Sequence, residues 1–596
     1  MSSFVCVLDR GGGEIGPGLL DSLAASLPAE GGELAAFRRG PVGIAVRSPR
    51  GGRPGVRLGG ALAPQAGTVL AVVGRQLPDG TALAAASEGA EGRRREERGG
   101  PLLRDEELGS LRGGFVLIAA DPGEARIEIA LDHLGGIPVC YALDRSRLIA
   151  ASGPSPILRG GLSADPDEER VARFLGFRFG ATERSYFRGI RELPPAHRLR
   201  VGSSHSAVER YWRFPEAGGE SFSGREAADG LRGLLEEAVG EVETGGLEAR
   251  EVAVSLSGGL DSSSVAAVAP RGVTAFSWTF EDDPEADERD RIRATARKLD
   301  LEVRWLPGDG LHPLCDGFEE RFVRADSPHL NPFAALKARL YAAAREAGCA
   351  RVLVGDGGDA LGAVSDLWLR DLLADAGRGA ARGLAGTVGR AARGDRFARR
   401  SLRRLLPAAP APLRRRRAPW LTRRARALLP EEPPSPNLPE TTRLCDRLEA
   451  VAGSRHRELE AEEQRLAALC GAERGDPYWS WPLLAFAASL PAYRHHRDGR
   501  SKLLVREAFR SRLPEEVVEG GRTGLLGGFF LRGIEARRAD LRRLLFERAR
   551  SDWPRWVRRE WLEPYLSPSR SIAFGHTILW RVIGYELWCR RLARGG

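Results

Sequence analysis

Residues 257 to 262 read Ser-Gly-Gly-Leu-Asp-Ser, directly after the apolar run Val252-Ala253-Val254-Ser255-Leu256. Ser263-Ser264-Val265-Ala266-Ala267-Val268, a run suited to a helix, follows them. A buried strand, a glycine turn and a helix start, in that order, predict a cradle of backbone N–H groups for an oxyanion. Gly258 and Gly259 let the main chain approach a phosphate with no Cβ in the way. Ser257 and Ser262 add hydroxyl donors, and Asp261 adds a carboxylate of the kind that holds Mg²⁺. The turn lacks the Gly-Lys-Ser/Thr ending of a Walker loop, so it is a different phosphate device. The bland alternative is a turn that binds nothing, but Ser-Gly-Gly-x-Asp-Ser in this setting is far more specific than a bare glycine pair.

A second glycine turn, Gly355-Asp356-Gly357-Gly358-Asp359, follows the apolar stretch Arg351-Val352-Leu353-Val354. Two carboxylates on adjacent strand ends suit a Mg²⁺ ion that spans phosphates, and Asp261 and Asp359 are the candidates. The bland alternative for Asp359 is a helix N-cap, which need not exclude metal binding. Lysine occurs only at positions 298, 337 and 502 in a chain that otherwise uses arginine. A lysine kept within Arg500-Ser501-Lys502-Leu503-Leu504 reads either as a surface residue at a helix start or as a compact ammonium wanted at a phosphate or oxyanion.

The elements that must position these residues form an alternating series. A helix near 225–242 precedes the first turn. A strand at 274–278, a helix near 287–299, a strand at 301–305 and a helix at 333–347 lie between the two turns. Such alternation predicts a parallel, doubly wound sheet, with ligands beyond the strand C-termini where both turns fall. From Asp366 onward the pattern reads almost wholly helical. Residues 1 to about 212 instead carry short apolar stretches broken by Gly and Pro, such as Phe115-Val116-Leu117-Ile118-Ala119 and Leu148-Ile149-Ala150, and predict a largely β domain. The stretch 85–100 reads as a surface loop and 216–221 as a linker. The domain division is therefore 1–215 and 225–596.

At 596 residues the chain has room for two domains. No apolar stretch approaches the roughly 18 residues that span a bilayer, and no signal peptide is recognisable, so a cytoplasmic location is expected. The seven cysteines are scattered without a Cys-x-x-Cys pair, which argues against zinc, iron–sulfur and sulfur-relay chemistry. Net charge is +10, carried by arginine, yet no nucleic-acid recognition module or aromatic-interleaved basic stripe is present.

Taken together, the two turns and the Lys502 segment resemble the asparagine synthetase B superfamily. So do Asp132-His133-Leu134-Gly135-Gly136-Ile137-Pro138-Val139-Cys140-Tyr141, Ile149-Ala150-Ala151-Ser152, Glu192-Leu193-Pro194-Pro195-Ala196-His197 and Arg210-Tyr211-Trp212. The resemblance implies an α/β chain: an N-terminal Ntn-hydrolase-like sandwich followed by a doubly wound parallel-sheet ATP-pyrophosphatase domain with helical elaboration. It implies ATP and Mg²⁺, with Ser257, Gly258, Gly259, Asp261, Ser262 and Gly355 around the nucleotide and Asp261 and Asp359 at the metal. Lys502 would act on charge in the transition state, and Asp356 falls at a family position on the substrate side, facing the attacking amine.

Three departures qualify it. Glutamine-hydrolysing members expose a Cys immediately after Met1, whereas Ser2 and Ser3 stand here and Cys6 lies inside a strand-like run, so the first domain is expected to be a degenerate glutaminase domain. Ala360 follows Asp359 where the family has Asp-Glu. Pro477-Tyr478-Trp479-Ser480 lacks the acid of the family's Pro-Phe-Leu-Asp element. Among members without glutaminase function, the opening Phe4-Val5-Cys6-Val7-Leu8-Asp9, the Arg-rich insert from 366 to 421 and the closing Trp580–Trp588 helix are similar to lasso peptide cyclases more than to β-lactam synthetases. That resemblance implies a precursor core peptide as substrate, with a leader peptidase and a leader-recognition protein as partners. The alternatives are another amide ligase of the superfamily, ammonia-dependent or β-lactam-forming, and a non-catalytic ATP-binding regulator.

Overall fold

In the computed structural model the described residues are 3–28, 33–47, 69–74, 101–178, 183–216, 222–243, 247–362, 369, 372–373, 378–395, 398–399, 402, 418–429, 444–452, 455–497, 500–520, 526–566 and 576–594. Ser2, the 85–100 loop, most of the 216–221 linker and half of the Arg-rich insert lie outside them.

Two antiparallel sheets build the N-terminal half. The first orders β2 (Leu34–Arg39), β3 (Val42–Arg47), β1 (Ser3–Asp9), β8 (Arg147–Ala151), β7 (Cys140–Leu143) and β9 (Arg191–Glu192). The second orders β11 (Ser206–Arg210), β10 (His197–Val201), β6 (Arg126–Leu131), β5 (Phe115–Asp121) and β4 (Val69–Gly74). Alternation decides the faces. Phe4, Cys6 and Leu8 of β1 join Ile44, Val116, Ile118, Ile127 and Ile129 in the core between the sheets. Val5 and Val7 point the other way, onto Leu20 and Leu23 of the helix Pro17–Ala24. A strand buried on both faces reads as a continuous apolar run, as β1 does.

The C-terminal half carries a five-stranded parallel sheet ordered β14 (Glu302–Pro307), β13 (Thr274–Thr279), β12 (Val252–Ser255), β15 (Arg351–Leu353) and β16 (Glu473–Gly475). Strands β12 to β14 run outward to one side and β15 to β16 to the other, so the order reverses between β12 and β15. The crevice at such a reversal is where doubly wound sheets bind ligands. Strand β16 corrects the reading of the region after Asp366 as almost wholly helical. Its Glu-Arg-Gly sequence carries no apolar signal, and it becomes a strand by pairing with Arg351, Val352 and Leu353.

The halves meet along an aromatic seam. His133 stacks on Trp481 with ring centroids 4.6 Å apart and meets Trp212 edge-on at 4.8 Å. Trp481 Nε1 donates to the Leu111 carbonyl at 2.9 Å. Asp132 holds the adjoining turn by accepting from the N–H groups of Leu134, Gly135 and Gly136 at 2.8–2.9 Å. Burial nevertheless pushes its carboxyl up to about 6, against the lowering by those bonds. The Asp132–Tyr141 segment therefore starts as a turn and seam device and ends in β7. Among the described residues no helix is long and apolar enough to cross a membrane.

Candidate active site

Both glycine turns lie at the reversal, one after β12 and one after β15. Gly258 has φ +72°, a conformation that costs an L side chain but not glycine. Ser262 Oγ accepts from the Ser257 backbone N–H at 3.1 Å and lies 3.0 Å from Ser257 Oγ, which closes the turn on itself. The helix Leu260–Val268 starts at its end, so its first N–H groups face the crevice. A cavity of about 530 Å³ adjoins this turn, lined by Pro284, Glu288, Arg289, Arg291 and Arg293 among others. A Cβ on Gly258 would meet the Cβ atoms of Glu288 and Arg291 at 3.3 Å. The cavity is lined by residues 284–293 alone, and neither glycine turn nor Lys502 contributes to its wall.

Contact between the two turns is so close that only glycine fits. A Cβ on Gly355 would stand 2.5 Å from the Ser262 nitrogen. On Gly358 it would stand 2.4 Å from Asp261 Cγ. This approach brings the acids together. Lys502 Nζ bonds Asp261 Oδ2 and, at 2.7 Å, Asp359 Oδ1. Lys502 itself sits at φ +58° immediately before the helix Leu503–Phe509, so a left-handed backbone turn aims its side chain back at the crevice.

Electrostatics at this point are strained in an informative way. Burial raises the Asp261 pKa, the Lys502 ammonium lowers it, and the Asp359 and Asp356 carboxylates raise it again, leaving it above the ordinary range. Burial works to lower the pKa of Lys502, but Asp261 and Asp359 outweigh it and the ammonium is held charged. Pairing alone would depress the Asp; burial and like charge win over it. Asp261 Oδ1 is buried with no hydrogen-bond partner, while Asp359 is 96% exposed. A buried orphan oxygen and a second carboxylate converging on one cation fit Mg²⁺, which keeps one or two carboxylates and takes the rest of its shell from phosphates and water. Among the described residues no group of three or more His, Cys, Asp or Glu could hold a metal by itself.

Asp356 projects beside this group, with Oδ2 bonded to Lys337 Nζ at 3.2 Å and to Arg474 Nη2 at 2.9 Å. Sequence reading singled out Asp356 but missed Lys337, Arg474 and the acids Glu460, Glu463 and Asp476 behind them. One signal was available: two of the chain's three lysines end at the two turns, while Lys298 ties down the Leu513 carbonyl at 2.6 Å. The segment Pro477–Ser480 packs on the second turn, since Tyr478 and Trp479 lie within 3.6 Å of a Cβ placed on Gly357. Tyr478 Oη and Ser264 Oγ are 2.6 Å apart, tying that segment to the helix after the first turn. Ser480, where the family pattern has an acid, stands at the N-cap of the helix Trp481–Ser489.

In the N-terminal half, Arg198 pairs with Asp105 and Glu209, and Arg200 with Glu128 and Glu209. Cys6 is fully buried, and burial pushes its thiol up to about 12, far from the range of a working nucleophile.

Residues 230–590, more than half of the chain, match the asparagine synthase family, and residues 103–212 match the glutamine amidotransferase domain. The chain is 27% identical over 292 residues to amidase chyE of Penicillium rubens, covering 45% of this chain and 42% of that protein. It is 29% identical over 162 residues to asparagine synthetase [glutamine-hydrolyzing] 3 of Bacillus subtilis, covering 27% of this chain and 26% of that protein. The matched stretches thus span less than half the length of these relatives. Glutamine phosphoribosylpyrophosphate amidotransferase from B. subtilis, solved with ADP and GMP, aligns at a TM-score of 0.25 and 12% identity, over 59% of this chain and 81% of that chain. On the family match and the fold, the chain is a mixed α/β protein with an Ntn-like amidotransferase domain before a parallel-sheet domain, and it belongs to the asparagine synthase family.

Proposed function

We propose that this protein is an ATP-dependent, AMP-forming ligase that activates a side-chain carboxylate of a precursor core peptide and closes it with the peptide's N-terminal amine, giving a macrolactam. The observation that carries the ligase reading is the convergence of Asp261, Asp359 and Lys502 where two glycine turns touch. Asp261 and Asp359 would hold Mg²⁺, which supplies charge neutralisation across the phosphates of ATP. The substrate carboxylate oxygen attacks the α-phosphorus and the bond to pyrophosphate breaks. Lys502 faces the charge that develops there. The amine nitrogen then attacks the acyl carbon, the C–O bond to AMP breaks, and the amine proton passes to Asp356. Holding amine and activated acyl group side by side supplies several kcal/mol as effective concentration.

Support for a peptide-borne amine comes from the first domain. Its one cysteine near the start, Cys6, is sealed in the sandwich core, so an amine carried on the substrate suits the chain better than ammonia released from glutamine. The family relatives named as an amidase and as an asparagine synthetase favour a second reading, amidation of a small acid with ammonia. Pyrophosphate release separates the two. With ATP, Mg²⁺ and the small peptide encoded beside the gene, release should depend on the peptide. Release that instead requires a small amino acid and ammonium would sink the cyclase reading, and no release with any acid would favour a non-catalytic regulator. A cytoplasmic setting, a leader peptidase and a leader-recognition protein belong to the same proposal.

A further inference from the structure

The geometry points to Lys337 and Arg474 as positioning residues that fix Asp356 for the amine-accepting step, an inference that rests on the ligase reading above. Three elements meet to make the arrangement. Lys337 comes from the first turns of the helix Ala334–Glu346, Arg474 from β16, and Glu460 and Glu463 from the helix Arg455–Leu469. The Arg474 side chain is 0% exposed and pairs with Glu460, Glu463 and Asp476. Lys337 pairs with Glu463 at 3.2 Å.

Burying a cation such as Arg474 is costly unless it is paired. Purely structural use would be met by the buried acids behind Lys337 and Arg474. Instead both reach outward to one oxygen, Oδ2, of Asp356, whose side chain is 43% exposed at the mouth of the crevice. Two donors on one oxygen fix both the position and the rotation of that carboxylate. The charged groups facing Asp356 are Lys337 and Arg474 in contact, with Glu460, Glu463, Asp476 and Asp261 beyond. Burial raises the pKa of Glu460 and of Glu463, against the lowering by Arg474 and Lys337 respectively. Lys337 and Arg474 touch neither Asp261 nor Lys502 in the bonds they make, so their effect falls on the second step: the nitrogen forms its bond to the acyl carbon, AMP leaves, and the proton goes to a carboxylate already aimed at it.

The test separates the half-reactions. ATP–pyrophosphate exchange reads activation, and mass change of the encoded core peptide, synthesised with a free amino terminus, reads amide formation. Lys337→Met should slow amide formation on the order of tenfold or more, as removal of a group that orients a working residue does, while exchange changes by no more than a few-fold. Lys337→Gln carries the same expectation should the Met variant fold poorly, and Lys337→Arg should recover most of the rate. On an Asp356→Asn background, Lys337→Met should cost nothing further, because it acts through Asp356. Exchange and amide formation falling together, or additive losses in the double variant, would overturn the inference. An unaltered protein without peptide-dependent exchange would overturn the ligase reading itself, and this inference with it.

Discussion

The two halves of the molecule place their acids differently. In the N-terminal sandwich the apolar interior is closed over Cys6, and the acid Asp132 serves backbone N–H groups of its own turn. In the C-terminal sheet, Asp261, Asp359, Lys502, Asp356, Lys337 and Arg474 are drawn to one crevice, with a buried carboxylate oxygen left unpaired. Glu107 Oε2 of the sandwich is likewise buried without a hydrogen-bond partner, so the halves differ in convergence and not in unsatisfied charge: in the C-terminal sheet three aspartates and two lysines gather where two glycine turns touch.

The sharpest way to break that contrast is in the crevice. Asp261→Asn or Lys502→Ala should lower pyrophosphate release by at least about 10²–10³-fold, with folding intact by circular dichroism. Near-normal release from either would remove the site from its place in the account. A somewhat smaller loss is expected from Gly355→Ala, which deletes no functional group. Its new Cβ would meet the Ser262 nitrogen at 2.5 Å and force the two turns apart, costing roughly 1–3 kcal/mol of stability along with activity. Unaltered melting and turnover would show that the turns tolerate separation.

Acid response should also distinguish the halves. His495, buried and bonded to the Ala487 carbonyl at 2.8 Å, has its pKa lowered by burial to about 4. A group held neutral in the native state takes up its proton first in the unfolded one. Its contribution to stability is present above the ordinary histidine value and declines as pH falls from about 6.5 toward 4. In the sandwich, burial likewise lowers His133 to about 4, but Asp132 beside it is raised to about 6 and acts in the opposite sense over much of that range. Urea unfolding at pH 7 and pH 5 should therefore show His495→Phe flattening the acid loss. Asp132→Asn in the sandwich should instead steepen it, because the raised Asp132 gains its proton in the native state first and adds stability as pH falls. A change of either variant in the other direction would contradict the assignment. The smallest effect is expected from Ser2→Ala, which should leave turnover unchanged; loss of turnover would restore a nucleophilic N-terminus.

Much of the site was legible because strand, glycine turn and helix are local patterns, and local patterns are written in adjacent residues. The turns after β12 and β15 and the flanking elements fall close to where the sequence places them: the helix expected at 225–242 is Gly224–Glu243, and the strand expected at 274–278 is Thr274–Thr279. What stayed hidden is long-range. Arg474 lies 118 residues from Asp356 on a three-residue strand with no apolar signature, and its burial is visible only once β16 is paired to β15. Lys337 sits mid-pattern on an ordinary helix, and only the scarcity of lysine hinted at it.

The central claim is that this crevice activates a carboxylate as an adenylate before amide closure. Supplying the encoded core peptide with oxygen-18 in its side-chain carboxyl tests it directly. The account predicts one labelled oxygen in the released AMP and a peptide lighter by one water. Label retained wholly in the peptide, or ADP formed in place of AMP, would contradict it.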